Sequence, residues 1–102
     1  MYTIKLSDGR SNQTYNDPGT AGADELHVTA FDTTGNELPI RSALVIAVPP
    51  GGEPQSLPVR RLDTGHFVAD AQLTAGRWRF AEILAARGGG SLYVTFDQTI
   101  GA

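Results

Sequence analysis

Apolar-alternating runs of five to eight residues recur along this chain, each closed by a cluster of Gly, Pro, Asn or Asp, and this punctuation limits the fold more than any other feature. Alternation at period two hides one face of each strand. The pattern predicts a small all-β protein, an antiparallel β-sandwich of immunoglobulin-like or fibronectin-III-like type with seven to eight strands. At 102 residues the chain makes one domain, 1–102, because a single core typically occupies about 100 to 150 residues.

Tyr2 to Leu6 alternates and ends at Ser7-Asp8-Gly9-Arg10, where Asp-Gly is a hairpin signal, with Ser11 to Asn16 as the partner strand. Asp17 to Ala23 is rich in breakers and reads as a crossing loop. In Asp24 to Phe31, Leu26, Val28 and Ala30 share one face while His27, Thr29 and Phe31 share the other. Arg41 to Val48 is nearly continuous apolar, as expected of a central strand covered on both faces for most of its length. Ser56 to Leu62 contains Pro58 and is expected at an edge. His66 to Leu73 places Phe67, Ala69, Ala71 and Leu73 inward, leaving His66, Val68, Asp70 and Gln72 outward.

Arg77 to Ala86 is ambiguous. Trp78 and Phe80 alternate, but the same phase turns Glu82 inward. A β-bulge near Ala81 or a helix ended by Gly88 each avoids that burial. The bulged strand is the better expectation, since Ser91 to Asp97 alternates cleanly and needs a neighbour.

Several functions are excluded or disfavoured. The formal charge of -3 and a single lysine, Lys5, argue against a nucleic-acid partner, which needs clustered basic residues. Without cysteine there are no disulfides, thiolate nucleophiles or Cys-built zinc sites, and one methionine rules out a methionine-rich Cu(I) site. Met1 to Asp8 reads as a short alternating run and not as a secretory signal, and nothing in the sequence approaches the roughly 18 apolar residues of a membrane span, so no direct membrane insertion by this domain is expected. No Gly-x-Ser-x-Gly elbow or phosphate loop occurs, and no catalytic residue is assigned. Asp32, Asp63 and Asp97 fall at turns or strand ends, where carboxylates bond nearby backbone N–H groups, and Arg77-Trp78-Arg79 reads as a solvated outer face.

His27 and His66 both fall on outward faces. Paired as the second and fifth strands of an immunoglobulin-like sheet, their strands bring Asp70 near His27 and His66 near Phe31. That arrangement keeps the imidazoles several residues apart, too far to share one metal ion at about 2.0 Å per bond. His27 with Asp70 then stands either as a surface polar pair or as half of a weak copper site, making His27, His66 and Asp70 the candidate metal residues.

The segments Ala21-Gly22-Ala23-Asp24-Glu25-Leu26-His27-Val28, Phe31-Asp32-x-x-Gly35-x-x-Leu38-Pro39, Gly65-His66-Phe67-Val68-Ala69-Asp70-Ala71 and Gly76-Arg77-Trp78-Arg79-Phe80 together resemble the soluble C-terminal domain of CopC/CopD-type copper-resistance and copper-transport proteins and the broader YtkA-like group. The resemblance implies a non-enzymatic sandwich cut from a larger membrane protein. Its place would be the extracytoplasmic (periplasmic or cell-surface) side, and it would dock to that parent or to a partner in a copper-handling system. It does not imply that this domain binds copper, since the histidine-rich opening of the copper-binding module has no match here. Two other readings stay open: a metal-binding module using His27 or His66 with Asp70, and a generic immunoglobulin-like spacer.

Overall fold

A computed structural model describes residues 2–6 and 8–102; Met1 and Ser7, the latter opening the expected Ser7–Arg10 turn, lie outside the described residues. Among the described residues nine strands form: β1 (Tyr2–Lys5), β2 (Ser11–Asp17), β3 (Gly22–Phe31), β4 (Ile40–Val48), β5 (Gln55–Ser56), β6 (Val59–Asp63), β7 (His66–Leu73), β8 (Gly76–Ala86) and β9 (Ser91–Ile100). They make two antiparallel sheets, ordered β1-β2-β3-β7-β6 and β5-β4-β8-β9. With β1 set aside, this is the A-B-E-D and C′-C-F-G order of the immunoglobulin family of sandwiches.

The extra strand relative to the expected seven or eight arises at Pro58. Gln55–Ser56 pairs with β4 in one sheet, and Val59–Asp63 pairs with β7 in the other. Pro58 carries no N–H for a ladder, so the expected single edge strand breaks there and changes sheets. Leu57 N–H donates to Val45 C=O at 2.9 Å on one side of the break, and Asp70 N–H donates to Pro58 C=O at 3.1 Å on the other.

Inward faces follow the period of two. Leu26, Val28 and Ala30 from β3, Phe67, Ala69, Ala71 and Leu73 from β7, and Trp78, Phe80 and Leu84 from β8 meet in one core. Burying each large side chain contributes about 1.5–3 kcal/mol. Phe80 stacks between Trp78, at 6.1 Å, and Phe96, at 5.4 Å between ring centroids. The expectation for β4 fails on its outer side. Val45 and Ala47 are buried, but Leu44 is 41% exposed, and it lies in register with Ile83 and with Tyr93, which is 63% exposed. The apolar run therefore reports one covered face and one uncovered apolar row.

Neither a helix nor a bulge occurs at residues 77–86. β8 pairs with β9 in unbroken register from Gly76↔Ile100 to Ala85↔Ser91, and Glu82 points inward, fully buried. Its cost is met across the sandwich by β2. Asn12 Nδ2 donates to Glu82 Oε1 at 2.9 Å, Thr14 Oγ1 stands 2.8 Å from Glu82 Oε2, and the same hydroxyl lies 2.9 Å from Asn12 Oδ1. When Glu82 is protonated these contacts close a ring: Glu82 donates to Thr14, Thr14 to Asn12 and Asn12 back to Glu82. Burial pushes the Glu82 carboxyl up to about 7, against the opposing hydrogen bonds from Thr14 and Asn12.

Candidate metal centre

The outer faces of β2, β3, β7 and β6 form a lattice of three rows. Asp17, Glu25 and Asp70 stand side by side; next come Tyr15, His27, Val68 and Arg60; then Gln13, Thr29, His66 and Asp63. Outward alternation puts both histidines on this face, as the sequence indicates. The pairing is that of the second and fifth strands, but its register differs by two residues from the expected one. Asp70 stands opposite Glu25, and His66 opposite Thr29. A shift of two preserves every face and moves every neighbour.

The consequence is a correction: the imidazoles are not kept apart. His66 is the diagonal neighbour of His27, and His27 Nδ1 lies 3.3 Å from His66 Nε2, with ring centroids 5.5 Å apart. Asp70, expected beside His27, is instead held by Arg60, whose Nε and guanidinium nitrogen each lie 3.3 Å from a carboxylate oxygen. The structure therefore brings His27 and His66 together and leaves Asp70 in a separate ion pair.

Two residues absent from the sequence reading position His27. Tyr15 lies flat on its ring, centroids 4.7 Å apart and planes 1° from parallel. Glu25 Oε1 lies 3.4 Å from His27 Nε2, and its other oxygen accepts a 2.6 Å bond from Arg60. A carboxylate beside Nε2 favours the tautomer with the proton there, which leaves the Nδ1 lone pair facing His66. Both signals were present in outline, since Tyr15 and Glu25 also alternate outward, but only the register shows that they flank His27. On the carboxylate side, Asp17, Glu25 and His27 offer one ligand atom each, all within 4.8 Å of one another.

The remaining polar residues behave structurally. Asp32 accepts from the Thr34 and Asn36 N–H groups and Asp63 from Thr64 N–H, as expected of turn carboxylates. Asp97 departs from that expectation: Arg79 and Arg77 each bond it at 2.8 Å, and these contacts hold its pKa down at about 2. The two arginines thus lie on a solvated face.

No family model matches the chain, and no curated protein matches it either. Among solved structures it is similar to a DUF4426 family protein from Pseudomonas aeruginosa PAO1, with a TM-score of 0.80 at 13% identity over 99% of this chain and 97% of that one. It is also similar to a DUF4785 family protein from Legionella pneumophila, with a TM-score of 0.70 at 13% identity over 93% of this chain but only 29% of that one. At such identity the likeness extends to the fold alone, and the chain shares its β-sandwich with both proteins.

Proposed function

We propose that this domain is a non-enzymatic binding module that holds one divalent transition-metal ion, copper(II) foremost, between His27 Nδ1 and His66 Nε2. The observation that carries this is their separation. Two nitrogens each about 2.0–2.1 Å from one ion stand roughly 2.9 Å apart at the right angle of square-planar copper(II) and roughly 3.3–3.4 Å apart at a tetrahedral angle, and these two stand 3.3 Å apart. Tyr15 and Glu25 supply the support that ligating imidazoles ordinarily have, a packed ring and a carboxylate on the other nitrogen. Imidazole pairs bind copper(II) more tightly than the other first-row divalent ions, and copper is the metal of the systems that the sequence resembles. In this reading the module serves a larger copper-handling membrane protein on its extracytoplasmic side.

Titrating the domain with Cu(II) and, separately, Zn(II) tests the proposal. One equivalent binds, copper the tighter, and His27→Ala and His66→Ala each weaken affinity by more than about tenfold. Binding that survives both substitutions overturns it, and loss on Asp17→Asn with no effect of His66→Ala relocates the ion to the carboxylate side of His27.

A second reading has its own support in the outer row where half-buried Ile83 stands between exposed Leu44 and Tyr93. There the domain docks against the membrane-embedded part of its parent copper-transport protein. A Tyr93→Lys substitution then abolishes docking and leaves metal affinity unchanged; retained docking rejects it.

A further inference from the structure

On the inner side of β3, the two sheets part at one end of the sandwich. β6 runs beside β7 only as far as Val59↔Ala69, with one further bond from Asp70 N–H to Pro58 C=O, before the chain crosses to the other sheet. The gap is a cleft of about 550 Å³ whose walls include Asp24, Leu57, Asp70, Ala71, Gln72 and Trp78. That volume lies within the range of small-molecule sites, about 300–1,000 Å³.

Asp24 is the unusual member. Alternation turns it inward with Leu26 and Val28, it is only 3% exposed, and neither carboxylate oxygen has a hydrogen-bond partner. It lies at the end of the sandwich, shielded by its immediate neighbours and not by the depth of the core. Burial raises its pKa; the Gly19 N–H offsets part of this without reaching normal hydrogen-bond geometry, and Asp17 adds to the rise. A buried carboxylate without a donor is costly, unlike Glu82, whose partners are built in. Three of the residues around the cleft are acidic, Asp24, Glu25 and Asp70, and none is Lys or Arg. Arg60 bridges Glu25 and Asp70 but makes no bond to Asp24. Trp78 spends its indole N–H on Thr74 C=O at 2.8 Å, so it has only ring carbons to offer the cleft.

We infer that this cleft is a binding site for an alkylammonium or alkylguanidinium group: the Asp24 carboxylate, whose oxygens are enclosed in this structure, turns into the cleft to accept from the cationic nitrogen, and the alkyl stem lies against Trp78 and Leu57. A cation supplies both the missing donor and the missing counter-charge, and charge-assisted bonds are about twice as strong as neutral ones. Aromatic carbon suits both a cation and the methylenes behind it. The Asp24 side chain is on the opposite face of β3 from the histidines, and Glu25 is the residue that borders both the cleft and His27.

The test uses n-butylammonium chloride as probe, with n-butanol and sodium chloride as controls, followed by amide and indole NMR on the intact domain. The amine shifts Trp78 indole and the Ala71 and Gln72 amides saturably, and butanol does not. Asp24→Asn weakens the amine at least tenfold while the rest of the spectrum superimposes on wild type. Ala71→Leu, which fills the cleft opposite Asp24 and keeps the carboxylate, also abolishes the response. No saturable shift in the wild-type domain, equal response to butanol, or undiminished binding by folded Asp24→Asn overturns the inference.

Discussion

Replacing Glu82 by Gln should change how stability depends on pH. The carboxyl goes from an ordinary 4.5 to about 7 in the folded protein, because burial disfavours its charge. At about 1.4 kcal/mol per tenfold in acidity, that difference corresponds to roughly 3 kcal/mol. The sign follows from proton counting. Between pH 4.5 and 7 the folded state keeps a proton that the unfolded state has released, so stability is full below 4.5, declines as pH rises and levels off above 7. Glutamine mimics the protonated acid: its Oε1 accepts from Asn12 and its amide donates to Thr14 Oγ1, leaving one N–H unmet at a cost of about 1–2 kcal/mol. The variant is therefore about 1–2 kcal/mol less stable than wild type at pH 4 and about 1–2 kcal/mol more stable at pH 8, and the curves cross between about pH 5 and 6. Urea unfolding across this range measures both curves. Their difference removes common contributions from Asp24, whose pKa is raised, and from Asp8, Asp32 and Asp97, whose pKa values are lowered. Parallel curves for the two proteins would refute the argument, since they place no folding-linked proton on Glu82.

Phe80→Ala empties the centre of the stack formed with Trp78 and Phe96 and should cost about 3–5 kcal/mol in chemical denaturation. Gly65→Ala drives a methyl group into the Leu38 carbonyl oxygen, in a turn held by the Glu37 bond to Gly65 N–H. It should lower stability by about 1–3 kcal/mol and weaken metal binding too, because His66 follows directly. Glu25→Gln should leave the fold unchanged and reduce metal affinity about 10- to 100-fold, measured by calorimetry, since the His27 tautomer loses its support.

The fold was legible because each strand carries its face in its own alternation: Leu26-x-Val28-x-Ala30 and Phe67-x-Ala69-x-Ala71 are buried as their pattern requires. Glu82 was misread for a definite reason. Local propensity argues for a helix and the cost of a buried carboxylate for a bulge, while its partners Asn12 and Thr14 lie about seventy positions away in sequence and in the other sheet. The histidine site failed at register. β3 and β7 are not joined by a hairpin, so no turn fixes which residues stand opposite, and an error of two keeps every hydrophobic residue correctly buried. Asp24 reads from sequence as a polar strand start; only the parting of the sheets at Pro58 makes it the floor of a cleft.

The most direct test of the metal proposal is X-ray absorption at the copper edge on the domain loaded with one equivalent of Cu(II). The account predicts a first shell containing two imidazoles at about 2.0 Å, reduced to one by His66→Ala. A shell of oxygen donors with at most one imidazole, unchanged in that variant, would contradict it.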